Sequence, residues 1–224
     1  NASLSGMFGV ILLNKAENNS EGAQPASLTM TGGTIQANGG FALSGNNLKS
    51  AGCSAEITGG SLEQTTGETC IYWPMEGSLT VGGNAVVEGG SGIEAKMGTI
   101  AIQGSAEIRG TGAYLADEPI ANGSQADGSA ILVSTQMYGN NNGQYIRSPD
   151  LTVTITGGAL QSTQGNAVTV YNTEDIDAQK AEVSITGGKL NAADGKAAVQ
   201  VTNAKTDGEK TSGLTTENKE NAFE

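Results

Sequence analysis

The side chains best suited to acid–base or metal chemistry are 23 acidic and 11 basic residues, and the chain has no histidine. A serine nucleophile activated by histidine is therefore excluded, and neither a nucleophile-elbow nor a P-loop pattern occurs. Arg109 and Lys189 stand on strand-like segments and are the candidates for a proton-accepting base. Arg109 follows Glu107 closely, so a solvated charge or a glutamate partner is the alternative for it. We predict no catalytic residue and expect that the chain is not an enzyme.

One loop concentrates carboxylates. Glu174, Asp175 and Asp177 lie in a single polar segment, and oxygen-rich loops bind Ca²⁺. The EF-hand spacing and the Gly-Gly-x-Gly-x-Asp nonapeptide are both absent from the sequence. We therefore predict no cofactor, with Ca²⁺ held by these three residues as the alternative.

Aromatic rings are candidates for sugar binding, since the apolar face of a pyranose packs on a flat ring. Tyr72 and Trp73 are adjacent, so strand alternation predicts that one ring points inward and the other outward. Tyr171 stands at a strand end, whereas Tyr138 and Tyr145 flank a Gly/Asn-rich stretch of the longest loop. The candidate binding residues are Tyr138, Tyr145, Trp73 and Tyr171. The alternative is that these rings cap the core or brace their loops.

The two cysteines are too few for a disulfide framework. Cys53 and Cys70 would enclose a short loop if they were paired. One disulfide and two buried thiols are both compatible with this spacing.

Charge and hydropathy limit the partners and the location of the chain. The net charge is −12 and only Arg109 and Arg147 are arginines, so nucleic acid is not an expected partner. No apolar run approaches the roughly 18 residues of a membrane-spanning helix, so this segment is not expected to insert into a membrane. The chain opens on Asn1 without a signal peptide, as expected of a mature chain after export. We predict a secreted or cell-surface location.

The elements that carry these residues form an internal repeat. Residues 151–160 contain an alternating strand, a Gly-Gly corner and the start of a second strand, and the phrase returns at residues 28–35, 55–62 and 181–190. Two further copies, beginning at Leu79 and Ile100, superpose without a gap. A period of about 21 residues is short for a helical repeat and suits one turn of a parallel β-solenoid. A third strand follows each corner, which predicts about seven rungs in a single domain over residues 1–224.

Residues 203–224 lose the repeat and are predicted to be an irregular C-terminal coil or cap.

The connectors between rungs differ in length. Most of the long polar insertions, such as residues 135–150 and 172–180, follow the third strand of a rung. Insertions at one corner of each repeat accumulate on one face, which is the usual place for recognition.

The strand-Gly-Gly-strand repeat over residues 6–201 resembles the right-handed parallel β-helix proteins. These include pectate-lyase-like enzymes and the repetitive adhesin-like proteins of bacterial surfaces. The resemblance implies an all-β, right-handed parallel β-helix and is almost silent on activity. We predict a non-catalytic adhesin-like or structural module whose loop-bearing face contacts a host or dietary glycan or a surface protein. The alternative is a carbohydrate-binding or polysaccharide-active β-helix of pectate-lyase-like type, dependent on Ca²⁺. A third hypothesis is a repetitive spacer without a ligand.

Overall fold

The computed structural model of the chain describes residues 2–14, 24–46, 50–115, 123–135, 137–139, 145–147, 150–174, 181–205 and 214–217. These residues are dominated by strands, which in chain order are β1 (Ser3–Gly6), β2 (Val10–Leu12), β3 (Ser27–Ala37), β4 (Leu43–Gly45), β5 (Cys53–Gln64), β6 (Ile71–Trp73), β7 (Gly77–Val81), β8 (Val86–Gly89), β9 (Ile93–Ala95), β10 (Gly98–Ile102), β11 (Glu107–Gly110), β12 (Ile131–Ser134), β13 (Met137–Gly139), β14 (Tyr145–Arg147), β15 (Leu151–Ser162), β16 (Val168–Glu174), β17 (Ala181–Asn191), β18 (Val199–Lys205) and β19 (Leu214–Glu217).

The strands build two large sheets and one small hairpin. Sheet A has the order β1-β3-β5-β7-β10-β15-β11-β8, with β17 beside β15. Sheet B has the order β2-β4-β6-β9-β12-β16-β18-β19, and in it only β18 and β19 pair antiparallel. The hairpin consists of β13 and β14. The predicted all-β class with parallel sheets is confirmed.

Six strands of sheet A close into a ring because two long strands run through a glycine corner. β5 pairs with β7 before its corner and with β8 after it, and β15 pairs in the same way with β10 and β11. Since β7 also pairs with β10, and β8 with β11, the ring of parallel strands is complete. This closed arrangement differs from the simple succession of rungs predicted from the repeat. In two repeats the corner divides one strand into two, whereas elsewhere the strand passes through it unbroken.

The apolar side chains of sheet A stack in columns at matching register positions. Ile57, Val81, Ile102 and Ile155 are successive register partners, and all four are fully buried. Polar neighbours alternate with them on the outward side, as the pleat of a strand requires. The two copies that superpose without a gap in the sequence are the register partners β7–β10 and β8–β11, so this part of the repeat prediction is confirmed. Each strand buries its apolar side only because its neighbours continue the column.

Glycine is required at the corners for two physical reasons. Gly60 has a φ of 86°, in the left-handed region that side chains disfavour. A Cβ atom placed on Gly60 would also lie 2.5 Å from the carbonyl oxygen of Gly33, in the corner of the neighbouring strand. The corners therefore stack backbone on backbone with no room for a side chain.

We expect Gly60→Ala to lower the free energy of unfolding by at least about 1–3 kcal/mol, from the left-handed backbone alone. The contact with Gly33 adds to this cost. Gly32→Ala is the matched control, because a Cβ there meets nothing within 4 Å and its φ is not in the left-handed region. Its effect should stay within about 0.5 kcal/mol in urea unfolding. Equal losses in both variants would contradict this account of the corner.

Part of the C-terminal tail is strand rather than irregular coil. β18 extends to Lys205, and β19 pairs antiparallel with it through Ala204↔Leu214 and Val201↔Glu217. β19 thereby covers an edge of sheet B that would otherwise offer unpaired backbone groups. The rest of residues 203–224 lies outside the described residues.

Candidate functional site

The outward side of sheet B carries a row of mostly polar side chains that is shielded from solvent. Ser44, Tyr72, Glu94, Leu132 and Thr169 are successive register partners on this side. All five are buried, although strand alternation directs them away from the core. Over Glu94 the covering segment is residues 123–127, whose atoms contact the carboxylate. A face that the repeat alone would assign to solvent is thus an internal polar layer.

Glu94 is the centre of this layer. Its side chain and that of Lys96 are both fully buried, with 3.1 Å between Lys96 Nζ and Glu94 Oε1. Glu94 Oε2 accepts hydrogen bonds from the Thr69 hydroxyl and from the Gln125 backbone N–H, each at 3.1 Å, and a short one from the Ser124 hydroxyl. Burial raises the pKa of the Glu94 carboxyl, while Lys96 and the hydroxyl donors of Ser124 and Thr69 limit the rise.

Lys96 is held on its other side as well. Its ammonium donates to the Ser134 hydroxyl at 2.6 Å, on the neighbouring strand β12. A buried ammonium is costly to desolvate, and the cost is offset only by a close counter-charge and further hydrogen-bond acceptors. Glu94 and Ser134 provide both, so the pair has a fixed geometry inside the protein.

A second carboxylate, Asp127, is enclosed in the same layer. It accepts hydrogen bonds from the Ser91 hydroxyl at 2.9 Å, from the Ser129 backbone N–H at 2.9 Å and from the Ser129 hydroxyl at 2.8 Å. The Ser129 hydroxyl also lies 2.6 Å from that of Thr169. Asp127 therefore fastens the end of the covering segment to Ser91, which lies just before β9.

The chemistry open to this cluster is limited by its enclosure. Glu94 and Lys96 have no solvent-exposed surface, and Asp127 is 5% exposed. To act as an acid or a base on a polysaccharide, a carboxylate must come within hydrogen-bond distance of the substrate. The Glu94 carboxylate is enclosed by protein atoms and does not meet this condition. The arrangement is suited to locking residues 123–127 onto sheet B.

Arg109 lies on the outward side of sheet A between two glutamates. Its guanidinium donates to Glu88 at 3.1 Å and makes a short contact with Glu107. The side chains are 39–46% exposed, so the pairs are worth little stability. Hydrogen bonding to Glu88, followed by that to Glu107, raises the pKa of Arg109 and keeps it charged. The glutamate partner that the sequence offered as the alternative for Arg109 is thus present, and a second glutamate pairs with it as well. Lys189 is exposed on β17.

Two of the predicted aromatic binding residues are buried. Trp73 points into the core with no exposed surface, and its Nε1 finds no hydrogen-bond partner among the described residues. Tyr171 is 4% exposed. Tyr72, the outward ring of the adjacent pair, is also buried, because Phe41 packs on it at 4.9 Å between ring centroids. Neither Trp73 nor Tyr171 therefore offers a ring face to a ligand.

The remaining predicted binding and metal residues fall largely outside the described part. Tyr138 and Tyr145 belong to the β13–β14 hairpin, where Gly139 faces Tyr145, but only their backbone is described. Glu174 is the last residue of β16, while Asp175 and Asp177 lie outside the described residues. Within the described residues, no group of three or more histidine, cysteine or acidic side chains is arranged to hold a metal. The Ca²⁺ site stays a prediction.

Both cysteines are free thiols in the structure, and both are fully buried. Burial raises the pKa of each thiol above its ordinary value. Of the two alternatives left open by their spacing, the structure contains the buried thiols.

We expect the native protein to be unreactive towards a thiol-specific chromogenic reagent at neutral pH, since only the exposed thiolate is nucleophilic. Unfolding in guanidinium should release two reactive thiols for each chain. Absence of reactive thiols in the unfolded, unreduced protein would instead reveal a disulfide.

Two grooves lie at opposite ends of the strand stack. One, of about 250 Å³, is lined by β1 and β3, including Leu4, Leu28 and Ile35. The other, of about 540 Å³, is lined by β17 and β18, including Ile185, Leu190 and Val199. Among the residues that the structure describes, neither lining contains an ionisable or aromatic side chain. These linings differ from the groove of rings and carboxylates expected of a polysaccharide-active site.

Glu94 and Lys96 were not among the sequence-derived candidates, although a signal for them exists. They are two residues apart at a strand, so alternation places them on one side, where opposite charges pair. The sequence does not reveal that residues 123–127 cover them.

Comparison with known proteins gives no match: no family model, no curated protein and no solved structure is similar to this chain. Within its described residues, no helix is long and apolar enough to cross a membrane.

Proposed function

We propose that the chain is a non-catalytic, adhesin-like structural module, secreted or displayed at a cell surface, that presents a loop-bearing face for binding. The observation that carries the structural, non-catalytic part of this proposal is a row of hydroxyls on the outward side of sheet A. Register partners along the row are Ser27, Ser54, Ser78, Thr99 and Thr152. Each is exposed or half-buried. Neighbouring strands lie about 4.8 Å apart, so the row is a regular array of hydroxyl groups, which the carboxylate of Glu182 continues on β17.

The two buried acidic side chains support a non-catalytic role. Glu94 and Asp127 have their oxygens committed to internal donors and are buried beneath residues 123–127. Their hydrogen bonds hold a loop in place, which is what a display scaffold requires. The linings of the two end grooves, which are mostly apolar, also support a non-catalytic role.

The architecture that we propose for this module is a right-handed parallel β-helix of about seven rungs. Sheet B has seven parallel strands before β19, and sheet A strands precede them in the chain. A chain that leaves β3, forms β4 in sheet B and returns as β5 beside β3 makes a crossover between parallel strands. Such crossovers are right-handed in nearly all proteins. In this architecture the long connectors after the sheet B strands project from one side.

The partner we propose is a host or dietary glycan or a surface protein that meets the connectors, with Tyr138 and Tyr145 of the β13–β14 hairpin as the first contacts to test. Their hairpin is an insertion between β12 and β15, which are elements of the two sheets. A loop anchored on a rigid scaffold is a common site of recognition.

The test is a glycan and matrix-protein array, run with Ca²⁺ and again with chelator, on the wild-type chain and two double variants. Tyr138→Ala/Tyr145→Ala removes the rings of the hairpin. Ser78→Ala/Thr99→Val removes two hydroxyls of the sheet A row with little change of shape and is the matched comparison. We expect Ca²⁺-independent binding that the hairpin variant loses at least tenfold and the row variant retains. Circular dichroism should be the same for all three chains.

The other outcomes separate the competing functions. Ca²⁺-dependent binding to acidic polysaccharide, together with shortening of the polymer, would replace our proposal by the polysaccharide-active alternative. Binding lost only in the row variant would move the contact surface to sheet A. A blank array in both conditions would leave a spacer without a ligand and overturn the adhesive role.

A further inference from the structure

The turn between β3 and β4 presents an asparagine to solvent directly before a glycine. Asn38 is exposed and Gly39 is half-buried, and neither belongs to a strand. The chain has two other Asn-Gly pairs, which begin at Asn122 and Asn142, and both of these asparagines lie outside the described residues. Asn38 is therefore the asparagine of such a pair whose surroundings the structure defines.

Two backbone hydrogen bonds flank Gly39 and hold this turn against the preceding repeat. On one side, the Asn38 N–H donates to the Gly6 carbonyl oxygen at 3.0 Å. On the other side, the Gly40 N–H donates to the Met7 carbonyl oxygen at 2.7 Å. The backbone before and after Gly39 is thus anchored, and the anchoring bonds use neither the Gly39 N–H nor the side chain of Asn38.

The two groups that can react with each other are left free by this arrangement. In the described part of the chain, neither the side-chain amide of Asn38 nor the backbone N–H of Gly39 makes a hydrogen bond. Residue 39 has no Cβ to obstruct the approach of its nitrogen to the side chain of Asn38, and glycine rotates more freely than any other residue. Solvent reaches the amide, because Asn38 is exposed.

We propose that Asn38 is a site of spontaneous deamidation in the folded protein, with water as the co-reactant. The backbone nitrogen of Gly39 loses its proton to a solvent base and attacks Cγ of Asn38. A bond forms between this nitrogen and Cγ, the bond from Cγ to the amide nitrogen breaks, and ammonia leaves. The product of this step is a succinimide ring.

Water then opens the ring at one of its two carbonyl carbons. Addition at Cγ breaks the new bond to the Gly39 nitrogen and gives aspartate. Addition at the backbone carbonyl carbon breaks the original peptide bond and gives isoaspartate, in which the main chain runs through the former side chain. In both products a carboxylate replaces the neutral amide of Asn38, so the chain becomes one charge more negative and no oxidant or reductant is needed.

Asn84 is a matched comparison within the same chain. It is also exposed, at the corner between β7 and β8. The residue after it is Ala85, whose Cβ crowds the attacking position and whose N–H donates to the Gly82 carbonyl oxygen at 3.1 Å. We therefore expect Asn84 to stay intact under conditions that convert Asn38.

Peptide mapping by mass spectrometry tests the proposal on the folded chain, stored at physiological temperature in mildly alkaline buffer. The peptide that contains Asn38 should gain the mass difference between OH and NH₂ and separate into aspartate and isoaspartate forms. Conversion should be faster at higher pH, because the attacking nitrogen must lose a proton. Gly39→Ala should slow it about tenfold, which corresponds to about 1.4 kcal/mol on the activation barrier. Circular dichroism checks that this variant is folded.

The isoaspartate product should also loosen the turn. It lengthens the main chain by one atom between the two hydrogen bonds that flank Gly39. The turn has no slack for this atom, since even a Cβ on Gly40 would lie 2.0 Å from the ring of Phe8. We expect isoaspartate chains to unfold at a lower urea concentration than the Asn38→Asp variant, which has the same charge on an unaltered backbone.

The urea-unfolded chain is the reference for the conversion rate. If Asn38 converts in the unfolded chain but stays intact in the folded one, the fold protects it and the proposal is wrong. Conversion of Asn84 as fast as that of Asn38, or a Gly39→Ala chain that converts at the wild-type rate, would each overturn the proposed attack by the Gly39 nitrogen.

Discussion

Lys96→Met is expected to lower the free energy of unfolding by about 3–5 kcal/mol, as is usual when one partner of a buried ion pair is removed. The substitution keeps the length and apolar stem of the side chain. It leaves the Glu94 carboxylate buried and without its counter-charge at 3.1 Å, and the Ser134 hydroxyl loses a donor. Urea unfolding, followed by circular dichroism with an unchanged slope, measures the effect.

Two control variants separate the effect of breaking the buried Glu94–Lys96 ion pair from the effect of removing any lysine. Lys189→Met changes an exposed lysine of β17 and should alter stability by no more than about 0.5 kcal/mol. In Glu94→Gln/Lys96→Met the amide oxygen still accepts from Thr69 and Ser124, while both charges are gone. That double variant should recover a large part of the loss. Equal effects of Lys96→Met and Lys189→Met would mean that the buried pair does not exist in solution.

The strand repeat was predictable because it follows from local physics. Apolar residues at every second position and glycine at each corner identify the strands, and the gapless match of Leu79 with Ile100 predicted their register pairing. The ring closed by β5 and β15 was not predictable in this way. The two corners at which the strand breaks are one residue longer than the others: Val87 follows Val81 by six positions, whereas its register partner Leu62 follows Ile57 by five.

The buried polar layer was missed for a different reason. Alternation states which side of a strand a residue occupies, but it does not state what covers that side. Glu94 is buried by Ser124 and Gln125, about thirty residues further along the chain and in a segment without a repeat. The same limitation applies to Tyr72, which the ring of Phe41 covers from the neighbouring repeat. Candidate sites chosen from loops, such as Asp175 and Asp177, depend on chain geometry that no periodic pattern encodes.

Trp73→Ala is expected to lower the free energy of unfolding by about 3–5 kcal/mol, which is typical of removing a large aromatic side chain from a core. Trp73 is the largest fully buried side chain, and its register partner is Ala95. The small partner leaves room for the indole, so alanine at position 73 opens a cavity between β6 and β9 that neighbouring side chains cannot fill. Urea unfolding measures the loss.

Trp73→Phe distinguishes packing from a role of the indole N–H. Because Nε1 is buried without a hydrogen-bond partner among the described residues, its loss removes an unsatisfied donor that costs about 1–3 kcal/mol. This gain offsets much of the smaller ring's lost packing, so Trp73→Phe should cost far less than Trp73→Ala. A Trp73→Ala chain that keeps wild-type stability but loses binding on the array would restore Trp73 as a surface contact. Loss of stability with unchanged binding by the folded fraction would confine the role of Trp73 to the core, and Tyr138 and Tyr145 would stay the candidate contacts.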